Sequence, residues 1–433
     1  MYYLLAILLL VIFILFPLLV PQSFMRFLLF TGAISLSFIV GERTFLTSIG
    51  GISPTAFKLF AVMIAGIIIL GAEKRTINLA INIKFHLLFI TYATLSLIWC
   101  EDVIYGLRNI AKLLAPPLLL LIFQIALPSE QEIRKTEKWI FLGGIFIIIL
   151  GIIADALGLK PSQYHSIPRF TIPHLNPSPF SFYMLMLTLF SIVSFYYDRK
   201  NIYLLLFFLF SIFCVLPLTR ITIGALLISL MVFLVLITRN KIIKTLMFLS
   251  PIFLIPFFIF LSTSISILKE RMFLNPEIVS FSAIFQNPKL FLEQLNTSGR
   301  TTLWSLALEK FFQKNPLWGS GAGATQHFFY EKFGRGVVHS EYIRLLCELG
   351  IIGCTFFIIV FLLYLADMYK IWQRAKKITT KKYALTAILC LTSYLIISIT
   401  DNAIDYVFYL SMYVFAFTAF AYQCYEQENS ILY

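Results

Sequence analysis

Charge is scarce in this chain, and that scarcity decides its class. Asp, Glu, Lys and Arg make up 13% of the 433 residues against 60% hydrophobic ones, and the mean hydropathy is +0.89. This excludes a soluble globular domain and implies an integral membrane protein. Histidine is rarer still, at 5 residues, and the 6 cysteines (Cys100, Cys214, Cys347, Cys354, Cys390 and Cys424) contain no C-x-x-C pair. No disulfide framework and no Cys/His metal site is expected, and the cysteines read as small apolar packing residues. A Walker A sequence and a dinucleotide fingerprint are both missing, so no nucleotide chemistry built on those motifs is expected. No internal repeat is visible, which argues against the paired broken helices of many transporters. The first apolar run lacks a basic leader and a small-residue cleavage site, so it reads as a retained span.

What the chain has in abundance is apolar runs of about 17 to 25 residues, the length a bilayer-crossing helix needs. They fall near 3–20, 24–40, 55–71, 85–99, 113–127, 139–157, 180–197, 202–217, 221–238, 245–268, 342–366, 384–400 and 404–423. These runs are too long for barrel strands, so the fold class is all-α and polytopic, with about 12 or 13 transmembrane helices. The organisation expected is a block of N-terminal spans over 1–268, a long polar loop over 269–341 carrying amphipathic helices, and C-terminal spans over 342–433.

The formal charge of +13 would indicate nucleic acid in a soluble protein, but the basic residues sort by loop. Lys74, Arg75 and Lys84, Arg134 to Lys138, Arg199 and Lys200, Arg239 to Lys244, and Lys370 to Lys382 occupy alternate short loops. Basic residues in short loops stay cytoplasmic. The opposite, outward set is then 41–54, 100–112, 158–179, the tight connection at Arg220, and 269–341. No nucleic-acid partner is expected, and membrane lipids account for the charge.

Polar residues on that outward side are costly near lipid and ask for an explanation. Arg169 to Pro179 forms a Pro-rich connector containing Asn176, and Arg220 sits between two apolar runs. An arginine so placed either snorkels to lipid phosphates or serves a site. In the long loop, Ser298 and Thr301 offer capping oxygens for a helix over 301–313 with Trp304, Leu308, Phe311 and Phe312 on its apolar side, suited to lying on a membrane surface. Asn315 and Pro316 stop that helix, and Gly319, Gly321 and Gly323 either cradle an anion with converging amides or simply punctuate a turn. His339 precedes the next span; because imidazole titrates near neutral pH, a histidine facing a polar cavity can take a proton from a hydroxyl, and alternatively it is a plain loop residue. Glu341, Arg344 and Glu348 share one helical stripe, as the wall of a polar cavity or as a structural ion pair.

Taken together, G-R-T-T-L-W from Gly299, N-P-L-W-G-S-G-A-G from Asn315 and H-S-E-Y-I-R-L-L-C-E-L-G-I-I-G from His339 resemble the O-antigen ligase and polymerase superfamily. Weaker echoes are the N-P at Asn176 and the T-R at Thr219, where the family commonly has Ser-Arg. The resemblance covers roughly 165–360, and Glu341 departs from it where Asn is common. It implies a GT-C-type, inverting, metal-independent glycosyltransferase of the bacterial inner membrane with its site facing the periplasm. The implied donor is a glycan on undecaprenyl diphosphate, and the acceptor is a lipid A core (ligase) or another lipid-linked glycan (polymerase). Transport is the less favoured reading. Carried over by motif, Arg220 and Arg300, with Arg169 as a further candidate, bind the diphosphate and His339 acts on the acceptor. Glu341, Arg344, Asn176 and Gly321 are expected to support the cavity. No cofactor is implied.

Overall fold

The computed structural model describes residues 81–158, 170, 177–238, 240, 245, 259–260, 263–264, 266–334 and 338–430. The expected spans at 3–20, 24–40 and 55–71, most of 245–268, and the candidates Arg169 and Asn176 lie outside them. Regular structure among the described residues is helical; one isolated antiparallel bridge, Phe273 with Leu295, is the exception.

The helices are α1 (Ile81–Leu95), α2 (Val103–Ala126), α3 (Glu130–Ala156), α4 (Pro177–Asp198), α5 (Asn201–Val215) and α6 (Arg220–Ile237). Short helices follow: α7 (Ser266–Met272), α8 (Phe281–Gln286), α9 (Pro288–Gln294), α10 (Arg300–Ala307) and α11 (Ala324–Phe333). The chain then returns to long ones, α12 (Glu341–Arg374), α13 (Ile378–Thr400) and α14 (Met412–Ser430). Among the described residues 7 helices are long and apolar enough to cross a membrane: α2, α3, α4, α6, α12, α13 and the stretch Val407–Asn429 that contains α14. This is an all-α, multi-pass membrane protein. α1 and α5, each of 15 residues, are the shorter counterparts of the runs at 85–99 and 202–217.

The spans pack as a bundle around α13, which lies against α12, α14, α6 and α4. α14 is enclosed almost all round, from Met412 to Ala421, and its rings interlock with α4 and α13: Phe417 with Phe190, Phe420 with Tyr383, Tyr413 with Tyr183. Enclosure of this kind explains why α14 is apolar on every side rather than on one stripe.

One end of the bundle is closed by charge. Lys382 at the start of α13 is buried, with Nζ 2.6 Å from Glu137 Oε1 on α3 and 3.1 Å from Asp198 Oδ2 at the end of α4. Tyr383 donates to Glu137, and Glu428 of α14 accepts from the Lys376 and Lys377 amides and from Thr380 Oγ1. The described basic stretches Arg134 to Lys138, Arg199 and Lys200, and Lys370 to Lys382 collect here, so the first turns of α6, α10 and α12 share the other end.

At that other end the structure departs from the sequence reading at the start of α2. The expected loop 100–112 is instead the beginning of α2. Asp102 Oδ1 accepts from the amides of Ile104 and Tyr105, at 2.8 and 3.0 Å, and so starts the helix ten residues early. The polar side chains that made this stretch look like a loop face protein: Asn109 Nδ2 donates to Glu348 Oε2 at 3.0 Å, and Lys112 is paired with Asp405.

α12 is broken at Gly350, where φ is +67° and ψ −170°. This backbone region is open essentially to glycine alone. The break lets the turn after α10 dock on α12: Ile351 donates its amide to Pro316 O at 2.9 Å, while Ser320 and Gly321 donate to the carbonyls of Cys347 and Glu348, both at 2.9 Å. A Cβ on Gly350 would meet Leu317 O at 2.1 Å, and one on Gly319 would meet Glu348 O at 2.3 Å. Gly350→Ala is therefore expected to cost at least the roughly 1–3 kcal/mol of a forced backbone conformation, read as a lower melting temperature of the detergent-purified protein. An unchanged melt would contradict the docking described.

Candidate active site

Arg220 is the first residue of α6, and its guanidinium reaches across to the segment that precedes α10: Nη1 donates to Asn296 O at 2.6 Å and Nη2 to Ser298 Oγ at 3.4 Å. That segment is itself pinned, since Asn296 donates its amide to Met272 O and Leu274 donates to Gln294 O, both at 2.7 Å, flanking the Phe273–Leu295 bridge. Ser298 and Gly299 then both take positive φ, at 57° and 75°, to turn the chain into α10 at Arg300. The N-cap is thus Gly299 with no side-chain hydrogen bond, correcting the expectation of a Ser298 or Thr301 cap; Thr301 instead pairs its hydroxyl with Thr297, at 3.0 Å. Among the described residues Arg300 forms no ion pair with a carboxylate. Its charge is felt by Tyr406, whose phenol is pushed well above its ordinary value by burial and by Asp401 and Asp405, with Arg300 pulling the other way.

α10 runs on as a π-turn over Leu308–Phe312. Its apolar side does not lie open for a membrane surface: Trp304, Leu308, Phe311 and Phe312 pack with Ala324 and Phe329 of α11 and with Cys347 of α12. Trp304 Nε1 also donates to Val338 O at 2.9 Å, which holds the residue immediately before His339.

His339 has φ of +57°, unusual for a residue with a side chain. Ser340 caps α12 through Oγ to the Ile343 amide at 3.3 Å, so the His339 conformation is set by a helix start on one side and the Trp304 contact on the other. Its ring points Nδ1 at Asp401 Oδ1, 3.6 Å away, and that Asp401 oxygen also accepts from Tyr406 OH at 3.0 Å and from the Asn402 amide at 2.9 Å. The His339 side chain is 39% exposed while Nδ1 itself is buried, so the exposed part of the ring lies away from Asp401. A separation of 3.6 Å is long for a hydrogen bond.

Below this layer Glu341 and Arg344 are buried. Arg344 Nη2 lies 2.6 Å from Glu341 Oε1 and Nη1 lies 3.1 Å from Asp405 Oδ1; Lys112 Nζ approaches the same Asp405 oxygen at 2.6 Å. The other Glu341 oxygen accepts from the Ile404 amide at 3.1 Å. Of the two sequence readings of this stripe, ion pairing accounts for Glu341 and Arg344, and it gives Glu341 a reason to be acidic. Glu348 faces elsewhere, accepting from Asn109 and from Thr325 Oγ1. Gly321 likewise serves backbone packing: its amide is already bonded to Glu348 O, and a Cβ there would meet Cys100 Cα at 2.5 Å. The Ser320 and Gly321 amides are thus spent on α12 and do not converge on an anion.

The structure therefore gathers Arg220 with the turn before Arg300, and sets His339 beside an acid and a phenol. Asp401, Asp405, Tyr406 and Lys112 were not picked out by sequence reasoning. Their signal was acidic residues between two apolar runs, at Asp401 and Asp405, where a charge is expensive unless used.

Residues 205–358, about a third of the chain, match a family model described as O-antigen ligase. That stretch is thus similar to the O-antigen ligase and polymerase superfamily, in keeping with the motifs that begin at Gly299, Asn315 and His339. No curated protein matches the chain. Arg220, Arg300 and His339 fall inside the matched stretch; Asp401 and Tyr406 lie beyond it.

Burial raises the Asp405 carboxyl, but Lys112 and Arg344 more than offset this and hold it below the usual carboxylate range. A depressed folded-state value adds stability that is present above the unfolded value, near pH 4, and is lost as pH falls through the folded one. The melting temperature should accordingly drop on acidification below about pH 4, and Asp405→Asn should lower it at pH 7 while flattening that acid limb. An acid limb of unchanged steepness in Asp405→Asn would be the contrary result.

Proposed function

We propose that this protein transfers a glycan from undecaprenyl diphosphate to a sugar hydroxyl, on the periplasmic side of a bacterial inner membrane, without a metal ion. The observation that carries this reading is the placement of two arginines, Arg220 and Arg300, about one turn of chain, at the same end of the bundle as His339 and Asp401.

In the reaction, the bond from the anomeric carbon to the diphosphate oxygen breaks and negative charge gathers on the departing diphosphate. Guanidinium groups match phosphate oxygens with forked hydrogen bonds. Arg300 supplies such a group directly, and Arg220 shapes and supports the turn that presents it. Helix starts at Arg220 and Arg300 add their partial positive charge in the same sense. Fixed positive charge of this kind stabilises a leaving group as it forms, in the place a divalent metal ion would otherwise take.

The acceptor hydroxyl must lose its proton to attack. Neutral His339 takes it on the ring nitrogen that does not face Asp401, and the imidazolium so formed is stabilised by the Asp401 carboxylate. Tyr406, a phenol held in its neutral form, donates to that carboxylate and fixes its direction. Attack in line with the departing diphosphate inverts the anomeric centre. We favour the lipid A core as acceptor; a polymerase differs only in passing the chain to another lipid-linked glycan. In a deletion strain, loss of every core-attached band with accumulation of long undecaprenyl-linked polymer identifies the ligase, and a ladder collapsed to a single repeat the polymerase.

Arg300→Ala and His339→Ala should each abolish transfer by protein that remains folded and inserted, and Asp401→Asn should lower kcat by about 10²-fold or more with little change in KM. Activity retained in both alanine variants would remove the arginine and histidine roles.

A further inference from the structure

A second group of polar and aromatic side chains lies at the same end of the bundle, outside the arginine and histidine site. The start of α11 is seated on the first turn of α2 with almost no space between them: a Cβ on Gly323 would meet Gly106 N at 2.5 Å, and just before it Ala322 donates its amide to Ser96 Oγ, in the turn after α1, at 3.0 Å. One turn along α11, the His327 ring lies over Tyr105 of α2, with centroids 5.4 Å apart, and the Tyr330 ring is 6.2 Å from Tyr105. Arg108 places its guanidinium carbon 5.3 Å from the Tyr105 centroid. Two carboxylates border the rings: His327 Nε2 lies 3.0 Å from Glu331 Oε1 and 3.9 Å from Asp102 Oδ2. Tyr330 is 56% exposed and the Glu331 side chain is 67% exposed, while His327 Nδ1 is buried and leaves Nε2 as the nitrogen turned toward the carboxylates.

From this arrangement we infer that Asp102, Tyr105, Arg108, His327, Tyr330 and Glu331 form a saccharide-binding platform for the non-reacting sugars of the glycan. The inference rests on the glycan-transfer reading above. The chemistry is that of sugar recognition. An exposed ring takes the C–H face of a pyranose, and carboxylates accept from its hydroxyls while imidazole and guanidinium donate to them. Two carboxylates beside the rings disfavour acidic sugars, so the ligand class is a neutral oligosaccharide. The position also fits. Lys112 lies seven residues beyond Tyr105, roughly 10 Å along α2 by helical rise, and is paired with Asp405 beneath the His339 site. The platform is thus within a few sugar units of the proposed point of attack, on a rigid junction rather than on a loop.

The test uses the detergent-purified full-length protein and, as probe, the phosphate-free glycan released by mild acid from the host cell's own surface polysaccharide. Saturation-transfer NMR should detect binding to the wild type. Tyr330→Ala and His327→Ala should each weaken it about five- to tenfold, close to 1 kcal/mol by the usual conversion. Tyr330 is mostly exposed, so its variant should stay monodisperse, which gel filtration checks. Wild-type protein that binds no glycan, or a Tyr330→Ala variant that binds as tightly as wild type, overturns the platform. Failure of the transfer reading shows elsewhere, as an unaltered surface glycan profile in Arg300→Ala cells, and so can be told apart.

Discussion

The end of the bundle that carries His339 is organised by one set of charges, buried Glu341 and Arg344 with half-buried Asp405 and Lys112. Two cations and two anions balance, and the set joins α2, the start of α12 and the connection between α13 and α14. Removing one partner from such a set typically costs about 3–5 kcal/mol, because the charge left behind is buried without compensation. The geometry of the candidate active site follows from it. Asp401 and Tyr406 sit on the short connection that Asp405 anchors, and His339 sits one helical turn before Arg344. The distance between imidazole and carboxylate is therefore set by the ion set on the Asp401 side and by the Ser340 cap and the Trp304 contact on the His339 side.

A second constraint is the glycine turn from Gly319 to Gly323. It is wedged against the break in α12 on one side and against Cys100 and Gly106 on the other. Because no side chain fits at those contacts, α10 and α11 are held to the spans as a rigid cap. Of the two π-turns of the described residues, Leu308–Phe312 follows α10 directly and Val407–Ser411 follows Tyr406 directly. Local widening of a helix of this sort is common near functional sites.

Much of this was legible in the sequence, for reasons that differ by residue. Helical, multi-pass architecture followed from the length of the apolar runs, which lipid imposes directly. Arg220, Arg300 and His339 stood out as candidates because they sit in short motifs within the stretch that matches the family model. Asp401 and Tyr406 were not, because they approach His339 only through the return of α13 across the membrane, a contact between residues more than sixty positions apart. The glycine turn was seen, but its role was not: composition shows where amides are free to converge, not that α12 would present carbonyls to receive them. The loop assigned to 100–112 failed for a related reason. Its polar residues looked solvated, yet Asn109 and Lys112 satisfy buried acids on other helices.

The proposed reaction is a single in-line displacement, with His339 activating the acceptor while Arg300, on the turn that Arg220 holds, takes up the diphosphate charge. It is tested most directly by the anomeric configuration of the product, read by NMR after transfer from an undecaprenyl-diphosphate-linked glycan of known configuration by purified protein in liposomes. Inversion at the transferred anomeric carbon is the predicted result; retention would contradict the account.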